Sequence, residues 1–215
     1  MISHQGVTIC IDAGPDFRQQ MLTNQVRKLD AVLITHGHKD HTGGLDDVRA
    51  FNWVQQKPMD IFARDHVLDI VKREFPYAFG VDKYPGAPQI NLRQIPTSTF
   101  RIDAMEITPI EAMHGKLPVV GFRIKDFTYL TDASYITDQE LNKMKGSQVI
   151  VLNALRHEKH HSHFTLDEAI QIFRFLQPDR GYITHISHQM GLHRNVQATL
   201  PKNIFLAYDG LRINV

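Results

Sequence analysis

Short apolar runs rich in β-branched residues alternate along this chain with stretches whose apolar residues recur at helical spacing. That is the pattern of a mixed α/β domain in which strands feed helices. Val7 to Asp12 (VTICID) reads as a strand ending in Ala-Gly-Pro, and Pro15 and Asp16 open a short helix to Leu22. Leu29 to Thr35 (LDAVLIT) reads as a buried strand, followed by a His/Asp/Gly loop and a helix from about Gly44 to Val54. Met59 to Ala63 is strand-like and Asp65 to Phe75 helical. From Pro76 to Thr99 the periodicity gives way to Pro, Gly, Tyr and Asn. This long loop carries Tyr77, Phe79 and Tyr84, which either tuck it onto its own core or cover a substrate. Strands dominate from about Phe100 to Asp132, with Met105 to Ala112, Val119 to Ile124 and Phe127 to Thr131 the clearest. The remaining elements are helix Thr137 to Met144, strand Gln148 to Leu155, helix Leu166 to Leu176, strand Gly181 to Thr184, a helix near Gln189 to Leu200, and strands Ile204 to Tyr208 and Leu211 to Val215.

Composition narrows the class. The 215 residues are 42% hydrophobic and 22% charged, which suits one globular domain spanning residues 1–215. With 24 Lys+Arg against 23 Asp+Glu, the formal net charge is +1. No stable nucleic-acid complex is expected on that balance, although a small charged ligand remains allowed. The single cysteine, Cys10, excludes an internal disulfide, fits a reducing compartment, and by strand alternation should be buried. No apolar run approaches the roughly 20 residues that cross a bilayer, and the first residues lack a secretory signal. A cytoplasmic protein without membrane contact is the expectation.

Histidine changes the picture. Ten of the 13 histidines fall in three windows, His36 to His41, His157 to His163 and His185 to His193. The first is His36-Gly37-His38-Lys39-Asp40-His41-Thr42-Gly43-Gly44, directly after a strand. In extended backbone His36 and His38 share a side and can grip one cation, while Asp40 and His41 can point to a second where the chain turns helical. The glycines permit the tight backbone this needs. One loop cannot complete two coordination spheres, and further donors stand at other strand ends: His114 after Met105 to Ala112, Asp132 after Phe127 to Thr131, and His185 after Gly181 to Thr184.

The run HGHKDH resembles the His-x-His-x-Asp-His signature of the metallo-β-lactamase superfamily. Asp12 in IDAG, His114 in AMHG, Asp132 in LTDAS and His185 in ITHISH follow in that family's order. The resemblance implies a four-layer αββα sandwich and two divalent ions. His36, His38 and His114 would hold the first, Asp40, His41 and His185 the second, and Asp132 would bridge them. Asp12 would orient a ligand histidine from behind, and Asp209 is assigned a similar supporting place. Without thiolates, zinc or manganese is expected, with iron also compatible. The segments IDAGPDFRQQ, DDVRAFN, HFTLDEA, THISH and AYDGL resemble the PhnP type, which hydrolyses phosphoribosyl cyclic phosphate, and the related tRNA 3′-processing RNase Z enzymes.

By that resemblance the chain is a metal-dependent hydrolase cleaving a small, cyclic phosphodiester through a metal-bridging hydroxide. His163 would serve as general acid or phosphate donor, Asp40 would join it in catalysis, and Thr165 would cap the next helix. His157, His160 and His161 read as a solvated loop. An RNase Z-like endonuclease lacks a visible basic insertion here, and a thioester or lactam hydrolase leaves His163-x-Thr165 without a role. A non-catalytic metal sensor sits poorly with a complete ligand set. PhnP-type proteins also carry an opening hairpin region whose cysteines hold a structural zinc with a histidine near the chain's end. His188 matches that histidine, yet Met1 stands only eleven residues before Asp12. The expectation is therefore a fold lacking its N-terminal strands, with an exposed sheet edge that favours a homodimer, and with His188 as either a zinc remnant or a helix-start histidine.

Overall fold

In the computed structural model, which describes residues 1–80 and 83–215, the β-branched runs form strands of two sheets. The first has the order β1 (Ile2–His4), β2 (Val7–Ile11), β3 (Ala31–Leu33), β4 (Met59–Ala63) and β5 (Ile90–Gln94). β1 and β2 pair antiparallel, and β2 through β5 run parallel. Parallel strands need crossovers, supplied here by α1 (Phe17–Thr23), by the short α2 (Lys39–Thr42) with α3 (Arg49–Gln55), and by α4 (Asp65–Glu74). Phe17, Leu29, Val32, Leu45, Phe51, Ile61 and Val71 fill the core between strands and helices. Because β2 and β3 share a direction, Asp12 and the His36–His41 loop emerge at the same edge.

The second sheet has seven strands in the order β12 (Ile204–Leu206), β11 (Arg180–Thr184), β10 (Val149–Asn153), β9 (Phe127–Leu130), β8 (Leu117–Ile124), β7 (Met105–His114) and β6 (Phe100–Ile102). β7, β8 and β9 pair antiparallel, and β9 through β12 run parallel. The carboxyl ends of β7, β9, β10 and β11 therefore share one edge, which carries His114, Asp132, Asn153 and His185. Helix α6 (Leu166–Leu176) begins with a capping box, Thr165 and Glu168 each accepting from the other's backbone N–H, as expected of Thr165. Helix α5 (Asp138–Met144) is capped by Thr137. By compactness the chain divides into Met1–Glu106 and Ile107–Val215, a division inside β7.

Several elements depart from the sequence pattern. β1 was not anticipated. The segment read as one loop, Pro76 to Thr99, holds a 3-10 turn at Pro76–Ala78 and the strand β5. β5 escapes a hydrophobic pattern because Asn91 and Arg93 reach the Asp60 carboxylate at 3.0 and 3.4 Å. Tyr77 donates to Asp46 at 2.6 Å and Phe79 packs on the core, so both tuck the segment onto its own unit. Positions 81 and 82 of that segment lie outside the described residues. The helix read from Gly44 to Val54 starts as a 3-10 turn over Leu45–Val48 before α3. The helix read near Gln189 to Leu200 is broken at Gly191, whose φ of 101° separates a 3-10 turn (His188–Met190) from α7 (His193–Gln197). Leu211 to Val215 forms no strand. Cys10 is buried as expected, which raises its thiol pKa.

Gly181 on β11 lies under α6, where an added Cβ would stand 2.9 Å from two ring atoms of the buried Phe173. Gly181→Ala is expected to destabilise the protein by about 1–3 kcal/mol, as overpacked cores do, read as a lowered urea midpoint with unchanged slope.

Candidate metal centre

In the first unit the site is built around a carboxylate. Asp12 follows β2 with a left-handed φ of 61°, a conformation Asp tolerates better than most side chains. Its Oδ1 accepts the Thr35 backbone N–H at 2.8 Å and its Oδ2 accepts the Thr35 hydroxyl at 2.9 Å. The same Oδ2 lies 2.7 Å from His41 Nδ1. That contact makes Nδ1 the protonated nitrogen and leaves Nε2 with the lone pair. With the Thr35 hydroxyl donating to Asp12, its oxygen can accept from His36 Nδ1, 3.1 Å away, so His36 too presents Nε2. His36 Nε2 stands 3.0 Å from His38 Nδ1, and His41 Nε2 stands 3.3 Å from Asp40 Oδ2. Lone-pair atoms facing each other at these distances suit a shared cation. His36 and His41 are buried, while His38 and Asp40 are exposed.

Glycine is required where the turn after β2 meets the histidine loop. A Cβ on Gly14 would lie 2.4 Å from the Asp40 carbonyl oxygen, and one on Gly44 would lie 2.2 Å from the Gly14 carbonyl oxygen. Lys39 anchors the loop's outer side by an ion pair to Glu74 at 3.0 Å.

In the second unit His114 ends β7, and its Nδ1 donates to the Ser162 carbonyl at 2.8 Å, again turning Nε2 outward as the lone-pair nitrogen. Asp132 and His185 follow β9 and β11 with left-handed φ values of 56° and 55°. Asp132 Oδ2 accepts the Thr131 hydroxyl at 2.8 Å, and Oδ1 lies 2.7 Å from His185 Nε2 and 3.7 Å from His163 Nδ1. Donor atoms of His114, Asp132 and His163 fall within 4.8 Å of one another. His163 is buried, and among the described residues its Nδ1 has no hydrogen-bond partner. Burial lowers its pKa from 6.5 to about 4, His185 adding to the shift and Asp132 opposing it. Such an imidazole is neutral at pH 7 without metal, so it offers a hydrogen bond rather than a ready ionic proton.

Two supporting residues were not singled out in the sequence. Thr35 carries the links just described. Asn153, fully buried, clamps the residue after Asp132 by accepting from Ala133 N at 2.8 Å and donating to Ala133 O at 3.0 Å. A polar residue closing the apolar run VIVLN was the available signal. Other expected residues stand elsewhere. Asp209 is exposed in a turn beyond β12 and, among the described residues, bonds to none of the candidate donor histidines. His188 is the exposed first residue of a 3-10 turn, and no candidate donor group among the described residues includes it. His157 bonds to the Met190 carbonyl at 3.2 Å, and His160 and His161 stack on each other.

Asp12→Asn keeps the left-handed turn but removes the acceptor charge behind His41. It should weaken metal binding by roughly 10–100-fold, as loss of such supporting partners typically does, measured by competition with a chelator. In the metal-free protein, the unfolded chain takes up a proton near pH 6.5 that His163 takes up only near pH 4 when folded. Stability is then expected to fall as pH drops from 6.5 toward 4. His163→Gln should flatten that slope in urea titrations at a series of pH values.

A family model described as the beta-lactamase superfamily domain matches residues 7–186, from β2 to just past His185. The crystal structure of a diphosphatase from the PhnP family is 32% identical, with a TM-score of 0.91 over 99% of this chain and 82% of that one. The short form of human tRNase Z is 18% identical with a TM-score of 0.74, covering 99% of this chain and 90% of its own. The metallo-beta-lactamase fold protein YhfI of Bacillus subtilis is likewise 18% identical with a TM-score of 0.77, covering 97% and 88%. These last two share the fold. An octanoyltransferase of Porphyromonas gingivalis is 37% identical over 98% of this chain, which spans only 43% of that longer protein. With the histidine loop, the two strand-end aspartates and the matched span in agreement, the chain belongs to the metallo-β-lactamase superfamily of metal-dependent hydrolases, within its PhnP-type branch.

Proposed function

We propose that this protein is a phosphodiesterase for a small diester, cyclic phosphates included, working with two divalent ions of zinc or manganese. The observation that carries the reading is His163, a buried imidazole whose Nδ1 has no protein hydrogen bond among the described residues, beside Asp132 and His114. A buried polar atom left unsatisfied costs about 1–3 kcal/mol, and a phosphoryl oxygen would satisfy it. The donor chemistry fits the ions: five imidazoles and two carboxylates, no thiolate, with His36, His41 and His114 each presenting Nε2. Following the family pattern, His36, His38 and His114 would hold one ion, Asp40, His41 and His185 the other, with Asp132 shared. When bound, such ions polarise a phosphoryl oxygen and acidify the attacking water.

The chain's own groups divide the remaining work. Asp12 and Thr35 keep the imidazoles of His36 and His41 in the tautomer that presents Nε2, and the Ser162 carbonyl does so for His114. Asp40, exposed beside His41, takes the proton of the attacking water and returns it to solvent. His163 donates a hydrogen bond to the leaving oxygen as the P–O bond breaks, and that oxygen then takes its proton from solvent. Asn153 and the Thr165 capping box hold the two chain segments that carry Asp132 and His163. Similarity to a PhnP-family diphosphatase supports attack at phosphorus. A second reading, thioester hydrolysis, draws on the acyl chemistry in the name of the longer Porphyromonas relative.

Turnover of bis-p-nitrophenyl phosphate, a ribose cyclic phosphate, a tRNA precursor and an acyl thioester, each with and without chelator, separates these readings. Diester cleavage lost on chelation and restored by zinc or manganese is expected, and faster thioester cleavage would overturn the proposal. Asp132→Ala should lose metal and activity together. His163→Ala should retain metal and lose roughly 10²–10³-fold in kcat, the usual cost of removing a hydrogen-bond donor aimed at charge that develops in the transition state; an unchanged rate removes His163 from the mechanism.

A further inference from the structure

A groove of about 690 Å³ opens on the first unit between α1 and α3, and no metal donor lines it. Its origin is helical spacing. On α1 the pair Phe17 and Met21 turns inward, which sets Arg18 and Leu22, four apart, toward the outside. On α3 Phe51 and Asn52 are buried, which sets Arg49 and Trp53 outward in the same register. Leu22, Trp53 and Val54 are 64%, 81% and 67% exposed, although all three line one concavity. Three large apolar side chains exposed within one concavity offer an apolar chain a place to lie. Arg18, Arg27 and Arg49 stand around it against a single acidic lining residue, Asp47. Arg49 is paired with Asp46 at 3.4 Å, whereas Arg18 and Arg27 have no ion-pair partner among the described residues.

We propose that the groove binds a single-chain amphiphile with an anionic head group, its chain against Leu22, Trp53 and Val54 and its head held by Arg18 and Arg27. The volume falls within the range of about 300–1,000 Å³ typical of small-molecule sites, and the unpaired guanidiniums supply the charge complement that a neutral or cationic amphiphile lacks. A second copy of the chain would set this basic rim against an identical one. A bilayer surface favours protruding apolar side chains over a concavity.

Trp53 is the chain's one tryptophan, so its emission reports directly on the groove. The metal-loaded protein is titrated with decanoate and decyl phosphate below their micellar concentrations, with decanol and decyltrimethylammonium as neutral and cationic controls. Both anions should shift Trp53 emission to the blue and saturate. Arg18→Gln/Arg27→Gln should raise their Kd roughly tenfold or more, as loss of charge-assisted contacts does, with circular dichroism unchanged. No shift with either anion, an equal response to the cationic control, or an unchanged Kd in the double variant overturns the proposal. A shift produced only by phosphatidylglycerol vesicles overturns it in favour of a membrane surface. A shift that follows protein concentration without ligand overturns it in favour of self-association.

Discussion

One carboxylate organises the candidate donors of the first unit. Asp12 joins the carboxyl ends of two parallel strands by accepting the Thr35 backbone, the Thr35 hydroxyl and His41 Nδ1. Those bonds fix which nitrogen His41 presents and, through the hydroxyl, which nitrogen His36 presents. A histidine is a dependable donor only when its other nitrogen is committed elsewhere. In the second unit the commitment is made by a backbone carbonyl, that of Ser162, for His114. Both units thus solve the tautomer problem by hydrogen bonding to the nitrogen that faces away from the donors.

The backbone carries a matching constraint. Asp12, Asp132 and His185 each take left-handed φ values within two residues of a strand's end. Left-handed non-glycine residues cost free energy and persist where surrounding bonds over-determine them. Here those bonds are visible: Asp12 N donates to Leu33 O at 2.8 Å, and Asn153 clamps the peptide after Asp132 on both sides. The sharp turn swings each side chain off the strand's alternating faces and toward the sheet's carboxyl edge, where parallel strands leave room for a ligand. The rigid sheets position the donors, and the exposed members, His38 and Asp40, remain in contact with solvent.

The same helices that close the first core also leave an outer face unspent. Phe17, Met21 and Phe51 turn inward against the sheet, and the residues one helical step away make an apolar groove with basic rims. Nothing in metal chemistry requires Leu22, Trp53 and Val54 to be exposed together. The PhnP-type fold therefore accounts for one edge of the first sheet, while the helical surface calls for its own ligand. This chain spans less than half of the longer Porphyromonas relative.

The candidate metal donors were legible in the sequence because their signal is local. His36, His38, Asp40 and His41 lie within one turn of chain, and His114, Asp132 and His185 announce themselves as polar residues ending apolar runs. The Thr165 cap was legible for the same reason, since its partner Glu168 is three residues away. What escaped depends on distant partners. Thr35 meets Asp12 across 23 residues, Asn153 meets Ala133 across 20, and the Ser162 carbonyl meets His114 across 48. β5 was hidden because its polar residues pair with Asp60 on a neighbouring strand, and the terminal apolar run Leu211 to Val215 found no strand to join. Sequence by itself determined which side chains could bind metal, because coordination needs particular residue types at short spacing. Only the tertiary structure decided which nitrogen His36, His41 and His114 turn outward, that His163 Nδ1 has no hydrogen-bond partner among the described residues, and that two helices form a groove, because those outcomes depend on contacts between segments far apart in the chain.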